Sequence, residues 1–149
     1  MKRYGLIFLV IGFIAFLIYY ISDSFSPGFY GSAEKYELNI KEADLVVVIQ
    51  KFKSQNPKYK VPEQTGLSDH WSNHWFVVYF YYPEQKQIIY TTIRGLSKGK
   101  TAFAIVYVKT SSFGNWKGIN KDLSRSENNA QIKLFENLIL KEIMAIARE

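Results

Sequence analysis

From Gly5 to Ile21 the chain reads GLIFLVIGFIAFLIYYI, a run without a charged or strongly polar side chain. As a helix it would span about 25 Å, which nearly crosses the hydrocarbon core of a bilayer. A soluble core could bury such a helix only by surrounding it with protein, and the remaining chain is small for that. A signal peptide has a similar charged start, but its apolar stretch is usually shorter and closes on a small-x-small cleavage site. Here Tyr19 and Tyr20 close the run, which suits the interfacial belt, and Phe25, Phe29 and Tyr30 can rest in the headgroup layer beyond. Cleavage after Ser24 or Ala33 is the alternative. Residues 1–22 are therefore expected to be an uncleaved transmembrane anchor, with the lipid bilayer as the partner of residues 5–21.

Lys2 and Arg3 precede the helix and Asp23 follows it, with no further cation until Lys35. The positive-inside rule then keeps the N-terminus in and places the rest of the chain outside the cytoplasm, in a periplasm or at a cell surface. ATP-dependent chemistry is disfavoured there for lack of nucleotide. The chain has 149 residues, so one ordinary domain remains after the anchor. It contains no cysteine, which excludes disulfides, a thiolate zinc site, a catalytic thiol and a lipid-modified cysteine. The net charge of +6 suggests nucleic acid until it is divided along the chain, where Lys2 and Arg3 belong to the anchor and the rest is dispersed. Lys51, Lys53, Lys58 and Lys60 form the densest cluster and read as a helix end followed by a solvated turn. A nucleic-acid partner is not expected.

Residues 23–36 hold Ser26, Pro27, Gly28 and Gly31 and read as a linker, leaving 37–149 as the domain. Asn39 can cap a helix over about 40–55, with Leu45, Val48, Ile49 and Phe52 at helical spacing before Asn56-Pro57 stops it. The run Val46-Val47-Val48 pulls toward a strand instead. WFVVYFYY at 75–82 and IIYTTI at 88–93 flank Pro83 to Lys86 and predict a hairpin. A turn at Ser97 to Lys100 leads to a third strand, AFAIVYV at 102–108, and a short strand near Tyr59 to Val61 can flank the meander. Ser124 with Glu127 forms a capping box for a final helix, whose apolar face is Ile132, Phe135, Ile139, Ile143 and Ile146. The expected fold class is α+β: an N-terminal transmembrane helix, then a helix, an antiparallel sheet of three or four strands, and a helix.

Side chains alternate between sheet faces. In the third strand Ala102, Ala104, Val106 and Val108 fall on one face, small enough for a helix to approach, and Phe103, Ile105 and Tyr107 on the other. In the first, Trp75, Val77, Tyr79 and Tyr81 oppose Phe76, Val78, Phe80 and Tyr82. Two helices need not cover both faces, and a tyrosine-rich face is a natural partner surface. Trp71, Trp75, Tyr79, Tyr81, Tyr90 and Tyr107 are the candidate partner-binding residues, and the partner is a protein whose identity the sequence does not give.

SDHWSNHW at 68–75 holds both histidines, and His70, His74 and Asp69 could hold a metal were the stretch helical. It precedes a strand and carries Trp71 and Trp75, so a packed aromatic loop is the reading preferred. GLSKGKT at 95–101 has three residues between glycines where a phosphate-binding loop has four, and a strand follows where a helix must. Ser68, Asp69 and His70 are adjacent without triad geometry, and Glu63 with Asp69 is no better than a pair of surface acids. No catalytic residue and no cofactor is expected. A non-enzymatic, membrane-anchored interaction domain follows, either an accessory subunit of an envelope complex or an immunity-type inhibitor. The alternative is a metal-assisted hydrolase using the His70/His74 loop.

Overall fold

The computed structural model describes residues 30–110 and 114–149. The expected anchor and most of the expected linker lie outside the described residues. Among the described residues no helix is long and apolar enough to cross a membrane. They form an α+β domain in the order β1 (Glu34–Leu38), α1 (Glu42–Gln55), β2 (His70–Ser72), β3 (Trp75–Tyr82), β4 (Gln87–Gly95), β5 (Thr101–Thr110), β6 (Lys117–Gly118), α2 (Arg125–Phe135) and α3 (Lys141–Ile146). A single π-helical turn, Glu136–Leu140, joins α2 to α3.

All strand pairs are antiparallel, and the sheet order is β1-β5-β4-β3-β2 with β6 also on β5. Since β4 follows β5 along one whole edge, β1 and β6 share the other, end to end. Six strands replace the three or four expected. The hairpin and meander are where the apolar runs put them. The additional strands are β1, whose EKYEL begins inside the stretch expected to be linker, the short β2, and the two-residue β6. No strand forms near Tyr59 to Val61: Pro57 and Pro62 flank it, and Pro57–Tyr59 is a 3-10 turn with Tyr59 buried.

Helix α1 forms despite its three valines because Leu45, Ile49 and Phe52 make one buried stripe. Each buried side chain is worth roughly 1.5 to 3 kcal/mol, against tenths per β-branched residue. Asn39 is not its cap: Lys41 is, without a side-chain bond, and Glu42 and Asp44 in the first turn face the positive end of the helix dipole instead. The final helix does begin on the reciprocal Ser124–Glu127 capping box. Phe135, Ile139 and Ile143 are fully buried along it. Steps of four residues drift by about 40° each on an ideal helix, and the wider π turn between Phe135 and Lys141 takes up that drift.

Both helices pack on the same face of the sheet, in one core with Phe76, Val78, Phe80, Ile89 and Phe103. The assignment of β5 faces is thereby corrected. The large Phe103 and Ile105 meet the helices, and Ala102 and Ala104 face the other way. A bulge between Tyr90 and Thr91 pairs Tyr90 with Tyr107 but Thr91 with Ile105, so Val106 is the extra residue. Beyond it the alternation resumes one step out of phase, which brings Val108 into the helix-side core and leaves Tyr107 opposite Tyr90.

Candidate interaction surface

The second face of the sheet is built by β3, β4 and β5 in register. Tyr79 lies opposite Tyr90, and Tyr90 opposite Tyr107, so three phenol rings form a row across three strands. The Tyr79 and Tyr90 centroids are 5.4 Å apart and those of Tyr90 and Tyr107 5.6 Å, both edge to face. Trp116, in the segment leading into β6, lies 6.0 to 6.4 Å from all three rings. Such edge-to-face pairs add about 0.5 to 1.5 kcal/mol each beyond area burial. Lys109 sits 4.8 Å above the Trp116 ring, and Arg94 5.2 Å from the Trp75 ring. Both cations are placed for attraction to the ring faces.

Val77, Tyr79 and Ile88 are buried on this face, where Val61, Leu67, Tyr81, Tyr90 and Trp116 pack around them. The 61–67 segment thus lies over part of the row. Tyr81, Tyr90, Tyr107 and Trp116 remain half-buried. Of the six residues that the sequence marks for partner contact, Trp75, Tyr79, Tyr81, Tyr90 and Tyr107 share this face. Trp71 does not. It pairs with Phe76, on the helix side, at 5.0 Å between ring centroids, and is 59% exposed.

The segment 68–75 is a strand and a turn. His70 stands on β2 and stacks on Tyr79 at 6.2 Å, with Nδ1 2.9 Å from the Ser68 carbonyl oxygen. His74 lies in the exposed turn between β2 and β3. Asp69 is turned elsewhere: its Oδ1 accepts the Tyr79 amide at 3.0 Å, and Lys53 Nζ donates to both its oxygens at 2.9 and 2.6 Å. Among the described residues no group of three or more His, Asp or Glu side chains is arranged to hold a metal ion.

Lys53 is the cation of the expected solvated turn that is not solvated. Its residue is 9% exposed, and besides Asp69 it donates to the Tyr79 carbonyl at 2.7 Å. Among the described residues the pairing of β2 with β3 stops at His70 opposite Val77, and beyond it the amide and carbonyl of Tyr79 bond Asp69 and Lys53. Burial lowers the Lys53 pKa from its ordinary value, and the Asp69 carboxylate opposes that shift. The pair borders a cavity of about 250 Å³ that Val61, Leu67 and Tyr79 also line. All three ammonium protons are engaged, so the pair ties α1 to the β3 edge.

Sequence reasoning missed Trp116, Lys109 and Lys53. Trp116 carried a usable signal, since a tryptophan between Gly114 and Gly118 is an apolar residue in a stretch of turn residues. Lys53 carried one too, one residue from Phe52 on the apolar stripe. Comparison with protein-family models finds no match, and neither do comparisons with curated proteins and with solved structures.

Proposed function

We propose that the chain is a non-enzymatic protein-binding module, held at the outer face of a membrane by residues 5–21. It would serve as an accessory subunit of an envelope complex or as an immunity-type inhibitor. The observation that carries the reading is the Tyr79–Tyr90–Tyr107 row with Trp116 upon it. Tyrosine and tryptophan offer large apolar area with a polar tip and dominate the energetics of protein interfaces. The row is spread across three strands instead of gathered in a cleft, which suits a broad macromolecular partner over a small ligand. Lys109 adds positive charge beside it, so an acidic rim on the partner is the complementary chemistry.

The test uses the full chain in its native membrane, with a photo-reactive residue at Tyr107 or, as control, at the exposed Val47 on α1. We expect the Tyr107 probe to capture one discrete protein and Trp116→Ala to reduce that adduct in a folded domain. The same adduct from Val47, or none from Tyr107, overturns the reading of this face. The placement outside the cytoplasm is tested separately by a reporter after Glu149. A stable, membrane-bound fusion that scores as cytoplasmic would reject it.

A further inference from the structure

The two edges of the sheet are finished differently. An edge strand presents unpaired backbone groups, and folds blunt such edges by brevity, bulges or charge. β2 is blunted by its three residues, and beyond it Lys53 and Asp69 take up the Tyr79 backbone. β1 is longer, and among the described residues it pairs only with β5. Its charges alternate in sign, as Glu34, Lys35 and Glu37.

That pattern is complementary to itself. Laid antiparallel against its own copy about Tyr36, β1 brings Lys35 opposite the copy's Glu37 and Glu37 opposite the copy's Lys35. Lys35 is paired with Ala104 and Glu37 with Ala102, so both new ion pairs fall on the second face. Within one chain the two side chains form an ion pair at 3.8 Å and are 40% and 52% exposed, so pairing between copies exchanges one Lys–Glu partner for another. On the helix side the copy's Glu34 comes opposite Leu38. Leu38 lines a cavity of about 400 Å³ with Met144, Ala147 and Arg148, and Glu34 is already held in its own chain by the Asn120 amide at 3.0 Å, so this side adds no ion pair.

The register is also selected against its neighbours. A slip by two residues, the smallest that keeps each side chain on its own face, sets Lys35 against Lys35 or Glu37 against Glu37. Like charges directly opposite are destabilising. We propose that β1 pairs antiparallel with β1 of a second copy of this chain about Tyr36, joining two sheets into one. The proposal stands apart from the partner reading of the second face, and either can fail alone.

The test measures self-association of the full chain in detergent or nanodiscs by light scattering. The variants are Lys35→Glu, Glu37→Lys and the double exchange Lys35→Glu/Glu37→Lys, each checked for an unchanged circular dichroism spectrum. We expect a wild-type dimer, a loss of roughly tenfold or more in dimer affinity for each single exchange, and recovery in the double one. Because the chain has no cysteine, a mixture of Lys35→Cys and Glu37→Cys chains should form an interchain disulfide that neither forms as efficiently alone. A wild-type monomer at every soluble concentration overturns the proposal. So does a dimer that the single exchanges leave unchanged, since that contact would lie elsewhere.

Discussion

The same three strands serve two different surfaces. On the helix side Phe76, Val78, Phe80, Ile89, Ile93, Phe103 and Ile105 are buried almost completely beneath α1 and the final helix. On the other side their immediate neighbours include Tyr79, Tyr90 and Tyr107, whose rings form a row that Trp116 touches, and Tyr81, Tyr90 and Tyr107 are half-buried. The first surface is closed by helices, so its energy is in packing. The second leaves several aromatic rings half-buried, so part of its apolar area stays within reach of solvent. The bulge at Val106 divides them, because without it Tyr107 would point at the helices and Val108 away.

The comparison breaks most sharply at the final helix. Phe135 is fully buried, 5.3 Å from the Phe103 ring, and Phe135→Ala should cost roughly 3 to 5 kcal/mol in chemical denaturation. Tyr107→Ala, on a half-buried ring, should cost about 1 kcal/mol while weakening partner binding. Equal losses for the two would show that the second face is as much a core as the first.

Next comes the pair that joins the layers at the sheet edge. Asp69→Asn leaves the Lys53 ammonium without its counter-ion, at 11% side-chain exposure. We expect a loss of roughly 2 to 3 kcal/mol, less than for a dry pair because Asp69 is 26% exposed. The sign of its pH dependence follows from Lys53. Its folded pKa is lowered, so between the folded and unfolded values the unfolded chain holds the extra proton and stability rises with pH. The Asp69→Asn deficit should therefore shrink toward alkaline pH, where the neutral amine needs no carboxylate. Urea melts across that range decide it, and a deficit that is flat with pH means that the charge is not what Asp69 compensates.

What the sequence made legible follows the physics of each element. Helix α1, the hairpin, the third strand and the capped final helix have long apolar patterns or reciprocal capping residues, and those act locally. β1 is EKYEL, with only Tyr36 and Leu38 apolar, and becomes a strand because β5 offers it an edge. β2 and β6 are shorter still. The burial of Lys53 was hidden for the same reason: a helix-end lysine is ordinarily solvated, and only the early end of β2 creates backbone groups for it to join. The aromatic row was visible as alternation within β3, but the phase of β5 depended on a bulge that no alternation reveals. Small size alone puts the alanines beneath a helix, yet the large Phe103 and Ile105 are the side chains that meet the helices.

The tryptophans sharpen the comparison at smaller magnitude. Trp116 touches three tyrosine rings, and Trp116→Ala should cost about 1 to 2 kcal/mol of stability. Trp71 is 59% exposed on the other side of the sheet, and Trp71→Ala should change stability by under about 0.5 kcal/mol. If a partner uses the second face, Trp116→Ala lowers its affinity more than Trp71→Ala does, and isothermal titration with the captured protein measures the ratio. A larger effect from Trp71 would move the contact to the β2 edge. His70→Ala should perturb only the Tyr79 stack. Stoichiometric zinc retained by the wild type and lost in both His70→Ala and His74→Ala would instead promote the hydrolase alternative.

The smallest effect belongs to the closed face and has the opposite sign. Tyr82 is fully buried among the helix-side core residues, and among the described residues its hydroxyl has no hydrogen-bond partner. A buried hydroxyl in that state costs about 1 to 3 kcal/mol relative to water. Tyr82→Phe keeps the ring and removes the hydroxyl, so we expect a gain of about 0.5 to 1 kcal/mol after the small void left behind. Burial also raises the Tyr82 pKa far above its ordinary 10.0, with Tyr59 and Tyr36 adding to the shift. A phenol with a raised folded pKa contributes fully below pH 10 and loses that contribution as pH rises past it, since the unfolded chain ionises first. The gain from Tyr82→Phe should therefore grow above pH 10. It should not remove the whole alkaline loss, because Tyr36 is raised too, by burial and then by the Glu136 carboxylate that accepts its hydroxyl at 3.2 Å. Thermal melts from neutral to strongly alkaline pH measure both quantities. A Tyr82→Phe domain that is less stable than wild type at neutral pH would mean that the hydroxyl is bonded in solution, and the helix side would then hold a polar contact like those at the margin of the second face.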